Sequence, residues 1–352
     1  MSGTKRIYDP QGRGLPDCVK LEGGYDADHL RAELAAFADR CGAPLSAVRG
    51  RRVLPLYSIG GDPHRTDAGG PGLQDFSATK WLAHLPAVRK VLRALPGPPR
   101  SVRLVELPPG VRVTDLQSAK MGPPWGLCRV HMPITGGERV RAVFVDGNHA
   151  WQPGTPWFTA SWRVHALVNQ EPYAAVQLIV DLCYTPALGA LFPAPFREML
   201  SLSAALVRRP EVPLTPKRLR PYLCRFPMPE TFVNWEQPGH HLPRGPHRGI
   251  VTAEIADHGG TPRLLLAGRP FCSLEHLGRG EFRMRGWSEE RTLQVETSPY
   301  GPACPDGRTV GFGRRAQDLR SARSDLNSRT VVLRAREGSA TYSTRLPAES
   351  TG

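Results

Sequence analysis

The chain has few of the features that identify common classes of site. Its seven cysteines form no CxxC pair, and their odd number fits reduced thiols better than a disulfide framework. No GxGxxG, P-loop, GxSxG or HExxH pattern occurs. The sequence therefore predicts no metal site and gives no support to the common nucleotide-binding, hydrolase or zinc-protease classes.

Long apolar runs are also missing. No stretch approaches the ~20 residues that a helix needs to cross a bilayer. The first residues, MSGTKRIYDPQ, carry no apolar segment behind their basic side chains. We expect a cytoplasmic protein that has no contact with a membrane.

Lysine is scarce. Only six of the 46 basic residues are lysines, and the rest are arginines interspersed with acids. The net charge of +14 would suit the phosphates of a nucleic acid. However, the basic residues form no single tract. A positive face for an acidic peptide or a small anion is at least as compatible with this pattern, and we do not expect nucleic acid as the partner.

The 352 residues exceed the usual size of one domain, which favours two domains. Composition divides the chain into four segments. These are an irregular lead-in (1–25), a first domain (26–208), a Pro-rich linker or strap (209–247) and a smaller β-rich domain (248–352).

Helical spacing appears at three places in the first domain. In HLRAELAAFADRCG, the apolar Leu30, Leu34 and Phe37 share one face, and Gly42 stands where a helix would end. One or two short helices follow in SATKWLAHLPAVRKVLRALPG, and another begins near Phe196. We expect these segments to pack against the core.

From Ser101 the period changes to two. The β-branched residues alternate with polar ones in VRLVEL, CRVHMPI, RVRAVFV, RVHALVN and AVQLIVDL. Short strands joined by Gly/Pro turns suggest a double-sheet jelly roll. Beyond 248, strand-like runs return in GIVTAEIAD, PRLLLAG, RTLQVETS and RTVVLRAR, with a helix predicted in RRAQDLRSARSDL. The predicted fold class is mainly β with flanking helices (α+β).

The stretch from Val102 to Asp181 resembles the aspartyl/asparaginyl β-hydroxylase-like branch of the iron and 2-oxoglutarate dependent oxygenases, including the cis-proline hydroxylases. The order of VRLVELPPGVRV, CRVHMPIT, VFVDGNHAWQPGTPWF and WRVHALVNQEPYAAVQLIVDL carries the resemblance. It implies a double-stranded β-helix for the first domain.

The resemblance also implies where the chemistry should be, and most of those positions hold other residues. With Pro109-Gly110 on the family's PG turn, Leu116 and Ser118 stand where the first iron ligands belong. Only His165 matches a ligand, the distal histidine, and Ala175 replaces the arginine that grips 2-oxoglutarate. One neutral imidazole cannot hold iron. We therefore expect neither iron nor 2-oxoglutarate as a cofactor.

Arg129 and His131 match the family's RxH strand, which lines the cosubstrate pocket in some members. Both His131 and His165 are equally compatible with ordinary strand histidines. Arg129 is more typical of a solvated or salt-bridged strand residue than of a ligand clamp. A one-residue slip would bring Asp115 toward the metal position, although a slip turns every side chain of a strand to its other face.

Two further histidine groups stand out. His149 lies in a predicted turn, and His240, His241 and His247 lie among prolines in GHHLPRGPHRG, where adventitious metal binding is more plausible than a built site.

Aromatic side chains concentrate around the predicted roll, and such residues often anchor peptide partners. They fit the core of the roll equally well. They are Trp125, Trp151, Trp157, Phe158, Trp162 and Tyr173.

The preferred hypothesis is a degenerate oxygenase fold that binds or recruits a peptide, with Arg129, His131, His165, Trp157 and Trp162 lining the site. An accessory role in a ribosomal-peptide pathway of the crocagin type would suit it, by analogy of architecture. The alternative is an active enzyme, either a hydroxylase with an atypical iron site or a cofactor-free catalyst that uses His131 or His165 as a general base.

Overall fold

A computed structural model describes residues 15–42, 44–115, 120–145, 147–202, 205–233, 249–297, 329–337 and 340–351. At 114–115 and 201–202 it describes the backbone alone. No helix within these ranges is long and apolar enough to cross a membrane.

Among the described residues, five α-helices flank the strands: α1 (Ala27–Cys41), α2 (Pro86–Ala94), α3 (Pro186–Gly189), α4 (Ala194–Leu202) and α5 (Pro216–Leu219). The first begins where Asp26 accepts a hydrogen bond from the backbone N–H of His29 and ends at Gly42, whose φ of 70° is left-handed. Its Leu30 and Phe37 are buried, as their spacing predicted. The helix expected in RRAQDLRSARSDL lies outside the described residues.

In the described part of the first half of the chain there are twelve strands. They are β1 (Cys18–Lys20), β2 (Ser46–Val48), β3 (Arg51–Ile59), β4 (Phe76–Ala78), β5 (Pro99–Leu107), β6 (Arg112–Asp115), β7 (Leu127–Pro133), β8 (Val140–Phe144), β9 (Asn148–Ala150), β10 (Trp157–Thr159), β11 (His165–Asn169) and β12 (Ala175–Cys183).

These strands form two antiparallel sheets. The larger has the order β1-β10-β7-β12-β5-β3-β2, with β4 beside β3, and the smaller has the order β6-β11-β8-β9. Their inner faces meet over an apolar layer that includes Val105 and Ile179 of the large sheet with Phe144 and Leu167 of the small one. The space between the sheets is here called the roll interior.

The second half forms a closed antiparallel barrel. Its strands are β13 (Cys224–Pro229), β14 (Ile250–His258), β15 (Thr261–Leu266), β16 (Arg269–Gly278), β17 (Glu281–Met284), β18 (Arg291–Glu296), β19 (Arg329–Glu337) and β20 (Ala340–Ser350). An eight-stranded barrel is narrow enough for side chains to fill, and Phe226, Ile255, Leu274 and Leu333 are among those buried there. A mainly β chain with flanking helices is confirmed.

One predicted boundary differs from the structure. The Pro-rich segment 209–247 was expected to be a linker or strap, yet it contains β13, which pairs with β14 along six residues and with β20 at Cys224 and Arg225. The barrel therefore begins at Cys224 and not at 248. The sequence did not predict this strand because it contains Pro227 and Pro229. Proline has no backbone N–H to donate, so it usually argues against a strand.

The segment 205–215, here called the strap, does cross a surface. Arg208 Nη2 lies 3.0 Å from Glu275 Oε2, and Arg209 Nη1 lies 2.8 Å from Glu281 Oε2. The backbone N–H of Val212 donates to the carbonyl of His276 at 2.7 Å. The strap is therefore bound to the barrel at Arg208, Arg209 and Val212.

A buried seam joins the two halves. Lys120 Nζ lies 2.9 Å from Glu290 Oε1, and both side chains are fully buried. Glu290 also receives hydrogen bonds from Arg291 Nε and from Trp287 Nε1. Arg100 of the large sheet reaches across the same seam, where it donates to the carbonyl of Gly286 and lies over the Trp287 ring.

Candidate functional site

The strand register brings three of the predicted site residues, Arg129, His131 and His165, to the roll interior, whereas Trp162 lies in a separate core cluster with Trp125, Phe158 and Phe192. On β7, Arg129 lies opposite Asp181 of β12, and His131 lies opposite Ile179 of β12 and Trp157 of β10. On the small sheet, His165 lies between Phe144 of β8 and Asp115 of β6. His131 and His165 are close enough for the charge of one to disfavour the charge of the other.

His131 is a buried, neutral imidazole. Its Nδ1 lies 3.0 Å from Gln177 Oε1, and its ring lies 4.5 Å from that of Trp151. Burial lowers the pKa of His131 to about 3, against a smaller opposing effect of the bond to Gln177. A general base works best with a pKa near the ambient pH, so His131 is poorly suited to that role at pH 7.

His165 is fixed by its neighbours. Its Nδ1 lies 2.8 Å from the carbonyl oxygen of Arg163, so this nitrogen carries the proton, and its ring stacks on Phe144 with centroids 5.2 Å apart. Both contacts hold the ring against the small sheet.

Arg129 forms a buried ion pair. Its Nε and Nη2 donate to the two oxygens of Asp181 at 2.6 and 2.9 Å, and Arg103 Nη2 donates to the same carboxylate at 2.9 Å. Burial alone would raise the pKa of Asp181, but Arg129 and Arg103 hold it below its ordinary value. The fork of Arg129 that would grip a ligand carboxylate is thus already engaged.

The two candidate tryptophans differ in exposure. Trp162 is buried in the core, where its ring lies 5.5 Å from Trp125 and 5.9 Å from Phe158. Trp157 is half-buried, and its Nε1 donates to Thr155 Oγ1 at 2.8 Å. Of the other aromatic residues that the sequence singled out, Trp151 is also buried and Tyr173 is exposed.

The cavity beside Ala175 is small. Ala175, at the cosubstrate-arginine position, packs with Leu107, Val140 and Trp151 around a cavity in which only about 10 Å³ is open to a water-sized sphere. One water needs roughly 10–15 Å³ by this measure. The described residues therefore leave no room for 2-oxoglutarate or for a peptide side chain at Ala175.

The residues do not fit an iron site. Leu116 and Ser118, at the first-ligand positions, lie outside the described residues, but neither side chain is a useful ligand for Fe(II). Within the described ranges, no three His, Cys, Asp or Glu side chains are grouped so that they could hold a metal ion. His240, His241 and His247 also lie outside them.

Sequence reasoning missed two members of the buried cluster, Asp181 and Arg103. Both lie in strands that were predicted, and alternation places Asp181 on the same face of β12 as Gln177 and Ile179. A buried carboxylate on an otherwise apolar strand was the signal, since such a group needs a cationic partner.

No protein-family model matches the sequence, and no curated protein sequence matches it. Solved structures that it resembles include a 2OG-Fe(II) oxygenase-family oxidoreductase from Burkholderia pseudomallei. It is 14% identical, with a TM-score of 0.32 over 47% of this chain and 84% of that one. A prolyl-4-hydroxylase from Pseudomonas putida is 16% identical, with a TM-score of 0.30 over 47% of this chain and 92% of that one.

A third similar structure is SnoN, a non-heme α-ketoglutarate dependent epimerase from nogalamycin biosynthesis. It is 12% identical, with a TM-score of 0.31 over 50% of this chain and 81% of that one. These structural neighbours include a 2OG-Fe(II) oxygenase-family protein and a prolyl hydroxylase, at low identity and over about half of this chain. Similarities of this size carry no conclusion about activity.

Proposed function

We propose that this chain is a non-catalytic protein that binds or recruits a peptide, built on a jelly roll of the oxygenase type. The strand order supports the jelly roll, because β5 to β12 are shared between two facing sheets with the orders β10-β7-β12-β5 and β6-β11-β8-β9. A role in the biosynthesis of a ribosomally made peptide natural product is part of the proposal and rests on analogy of architecture.

One observation carries the non-catalytic part. The residues that would hold a cosubstrate are instead engaged with one another: Arg129 with Asp181, His131 with Gln177 and Trp151, and His165 with Arg163 and Phe144. With about 10 Å³ left beside Ala175, the site is a packed core. Iron-dependent oxidation would need ligands and space that these residues do not supply.

The peptide is therefore placed at the outer surface of the roll. Next to the paired residues His165 and Phe144, Val145 directly follows β8 and Val164 directly precedes β11. Both side chains are exposed, and Val145 is 79% exposed. We name these two residues the rim patch. Within the described residues, the neighbouring β9 pairs with β8 alone, so its outer edge can accept an extended peptide as an added strand.

Binding is tested by calorimetric titration of the full chain with the peptide encoded by any short precursor gene beside its own, or otherwise with members of a random peptide library. We expect Val145→Asp to weaken binding at least tenfold. Ile250→Asp, at an exposed apolar residue of β14, is the matched control and should leave the affinity unchanged. If no peptide binds the native chain, the proposal is wrong.

The absence of oxygenase chemistry is tested separately. Anaerobic addition of Fe(II) and 2-oxoglutarate should give no metal-to-ligand charge-transfer band, because Leu116 and Ser118 stand at the iron-ligand positions and Ala175 at the position of the cosubstrate arginine. A clear band that saturates at one equivalent of iron would refute the non-catalytic part.

A further inference from the structure

A second cavity lies outside the roll, between the strap and the barrel. Its volume is about 150 Å³, compared with about 10 Å³ beside Ala175, which is room for on the order of ten waters. Its apolar wall consists of Pro213, Leu214, Pro262 and Leu274. Glu211 and Arg285 supply charged groups, and we name this space the strap cavity.

Arg285 is held in place by its backbone. Its N–H donates to the carbonyl of Ser273 at 2.9 Å, and its carbonyl accepts from the N–H of Gly72 at 3.1 Å. Arg285 directly follows β17, so the position of its backbone is fixed by the barrel.

The guanidinium of Arg285 donates no hydrogen bond to any described residue. Its Nε is buried, and the nearest carboxylate oxygens, of Asp75 and Glu275, lie 3.6 and 3.7 Å away. Both distances exceed those of an N–H···O hydrogen bond. A buried donor left without an acceptor is costly, so an acceptor in the cavity would be stabilised by Arg285.

No carboxylate among the described residues forms a close ion pair with Arg285. Glu275 is already bound by Arg208 at 3.0 Å and by Arg283. Asp75 is largely exposed, and water screens an exposed charge pair strongly. Across the whole cluster, five arginines surround two buried glutamates, Glu275 and Glu289, and the half-buried Glu281; the arginines are Arg208, Arg209, Arg283, Arg285 and Arg336.

The other polar residues of the cavity define the charge of the ligand. His276 is engaged on both nitrogens, since Nδ1 lies 3.0 Å from the Val212 carbonyl oxygen and Nε2 accepts from the N–H of Gly280 at 3.2 Å. Glu211, in the exposed part of the strap, adds a negative charge that disfavours a doubly charged anion. One carboxylate attached to a small apolar body meets both conditions.

We propose that the strap cavity binds a small apolar monocarboxylic acid, whose carboxylate accepts hydrogen bonds from Arg285 and whose apolar part packs on Leu214, Pro262 and Leu274. The acid is either a free metabolite or the C-terminal residue of a polypeptide. This site is independent of the rim patch and of the peptide proposed to bind there.

The test titrates the full chain, in low-chloride buffer, with three probes: isovalerate, N-acetyl-alanyl-leucine and the amide of that dipeptide. Calorimetry should show binding of the acids and at least tenfold weaker binding of the amide, because the amide lacks the charge that Arg285 recognises. Equal affinity for isovalerate and the dipeptide acid assigns the site to free acids. A clear preference for the dipeptide acid assigns it to a polypeptide C-terminus.

Two variants locate the binding. Arg285→Gln should lower the affinity for the acids at least tenfold, whereas Arg269→Gln, at an exposed arginine on β16, should not. Thr261→Phe fills the cavity but keeps Arg285, and it should abolish binding. This variant keeps the test decisive if Arg285→Gln fails to fold. Undiminished affinity in folded Arg285→Gln, any binding to folded Thr261→Phe, equal affinity for acid and amide, or no binding of any probe at millimolar concentration would overturn the proposal.

Discussion

At the scale of single residues, His131 links the packing of the roll interior to pH. Its pKa is about 3 in the folded protein because the ring is buried, whereas an unfolded chain has a histidine pKa of ~6.5. Between these values the unfolded state binds the extra proton, so stability from the neutral ring is complete above about pH 6.5 and is lost as pH falls toward 3.

His131→Asn should therefore flatten the acid limb of the stability curve. We expect the wild type to lose up to about 1.4 kcal/mol more per pH unit than the variant below pH 6. Urea unfolding at pH 7.5, 6, 5 and 4 measures this difference. The two proteins should have equal slopes above pH 7, and equal slopes throughout would show that His131 ionises in the folded state.

A second prediction at this scale concerns Asp181, the shared partner of Arg103 and Arg129. Asp181→Asn leaves two arginines in the roll interior without their anion, and removing one member of a buried ion pair costs ~3–5 kcal/mol. Glu254→Gln breaks the more exposed pair with Arg225 on the barrel and should cost at most ~1 kcal/mol. Similar losses in chemical denaturation would mean that water reaches Asp181.

At the scale of secondary-structure elements, the sequence predicted strands wherever alternation was regular. It indicated β5, β7, β11 and β12 in the roll and several strands of the barrel. It failed at β16 and β17, where Glu275 and Arg283 are buried as an ion pair. Such residues make a strand look polar, because a sequence does not show which charges pair across strands.

The predicted site shows the same limit. Arg129, His131 and His165 do face one interior, which the family resemblance implied. What the sequence did not reveal is that Asp181 and Gln177 engage Arg129 and His131, because these contacts depend on the register of β7 against β12. The strap cavity forms where the strap crosses the barrel. Local sequence patterns do not show that the strands close into a barrel, so they could not predict this cavity.

The strap yields the prediction at this scale. Val212→Pro removes the N–H that donates to His276, so we expect a loss of about 1 kcal/mol and faster cleavage of residues 205–215 by proteases. Glu211→Pro is the control, because the Glu211 N–H donates no hydrogen bond to a described residue and the substitution therefore removes none. Limited proteolysis followed by mass spectrometry compares them, and equal cleavage would show that the Val212 bond does not hold the strap.

At the scale of the whole molecule, the buried seam predicts that roll and barrel unfold together. Lys120, Glu290 and Arg291 are fully buried between the halves, and separating them would leave charges without partners in two partly apolar surfaces. Hydrogen–deuterium exchange in increasing urea should therefore give one shared midpoint for β5–β12 and β13–β20.

Lys120→Met tests whether the seam carries this coupling. It removes the cation from Glu290 while Arg291 and Trp287 keep their bonds, so both halves should lose stability by about 1.5–3 kcal/mol and still share one midpoint. Lys90→Met, at an exposed lysine of α2, should shift neither half. A variant in which the barrel keeps its midpoint while the roll unfolds earlier would show that the halves are stabilised separately, and that the seam charges act on the roll alone.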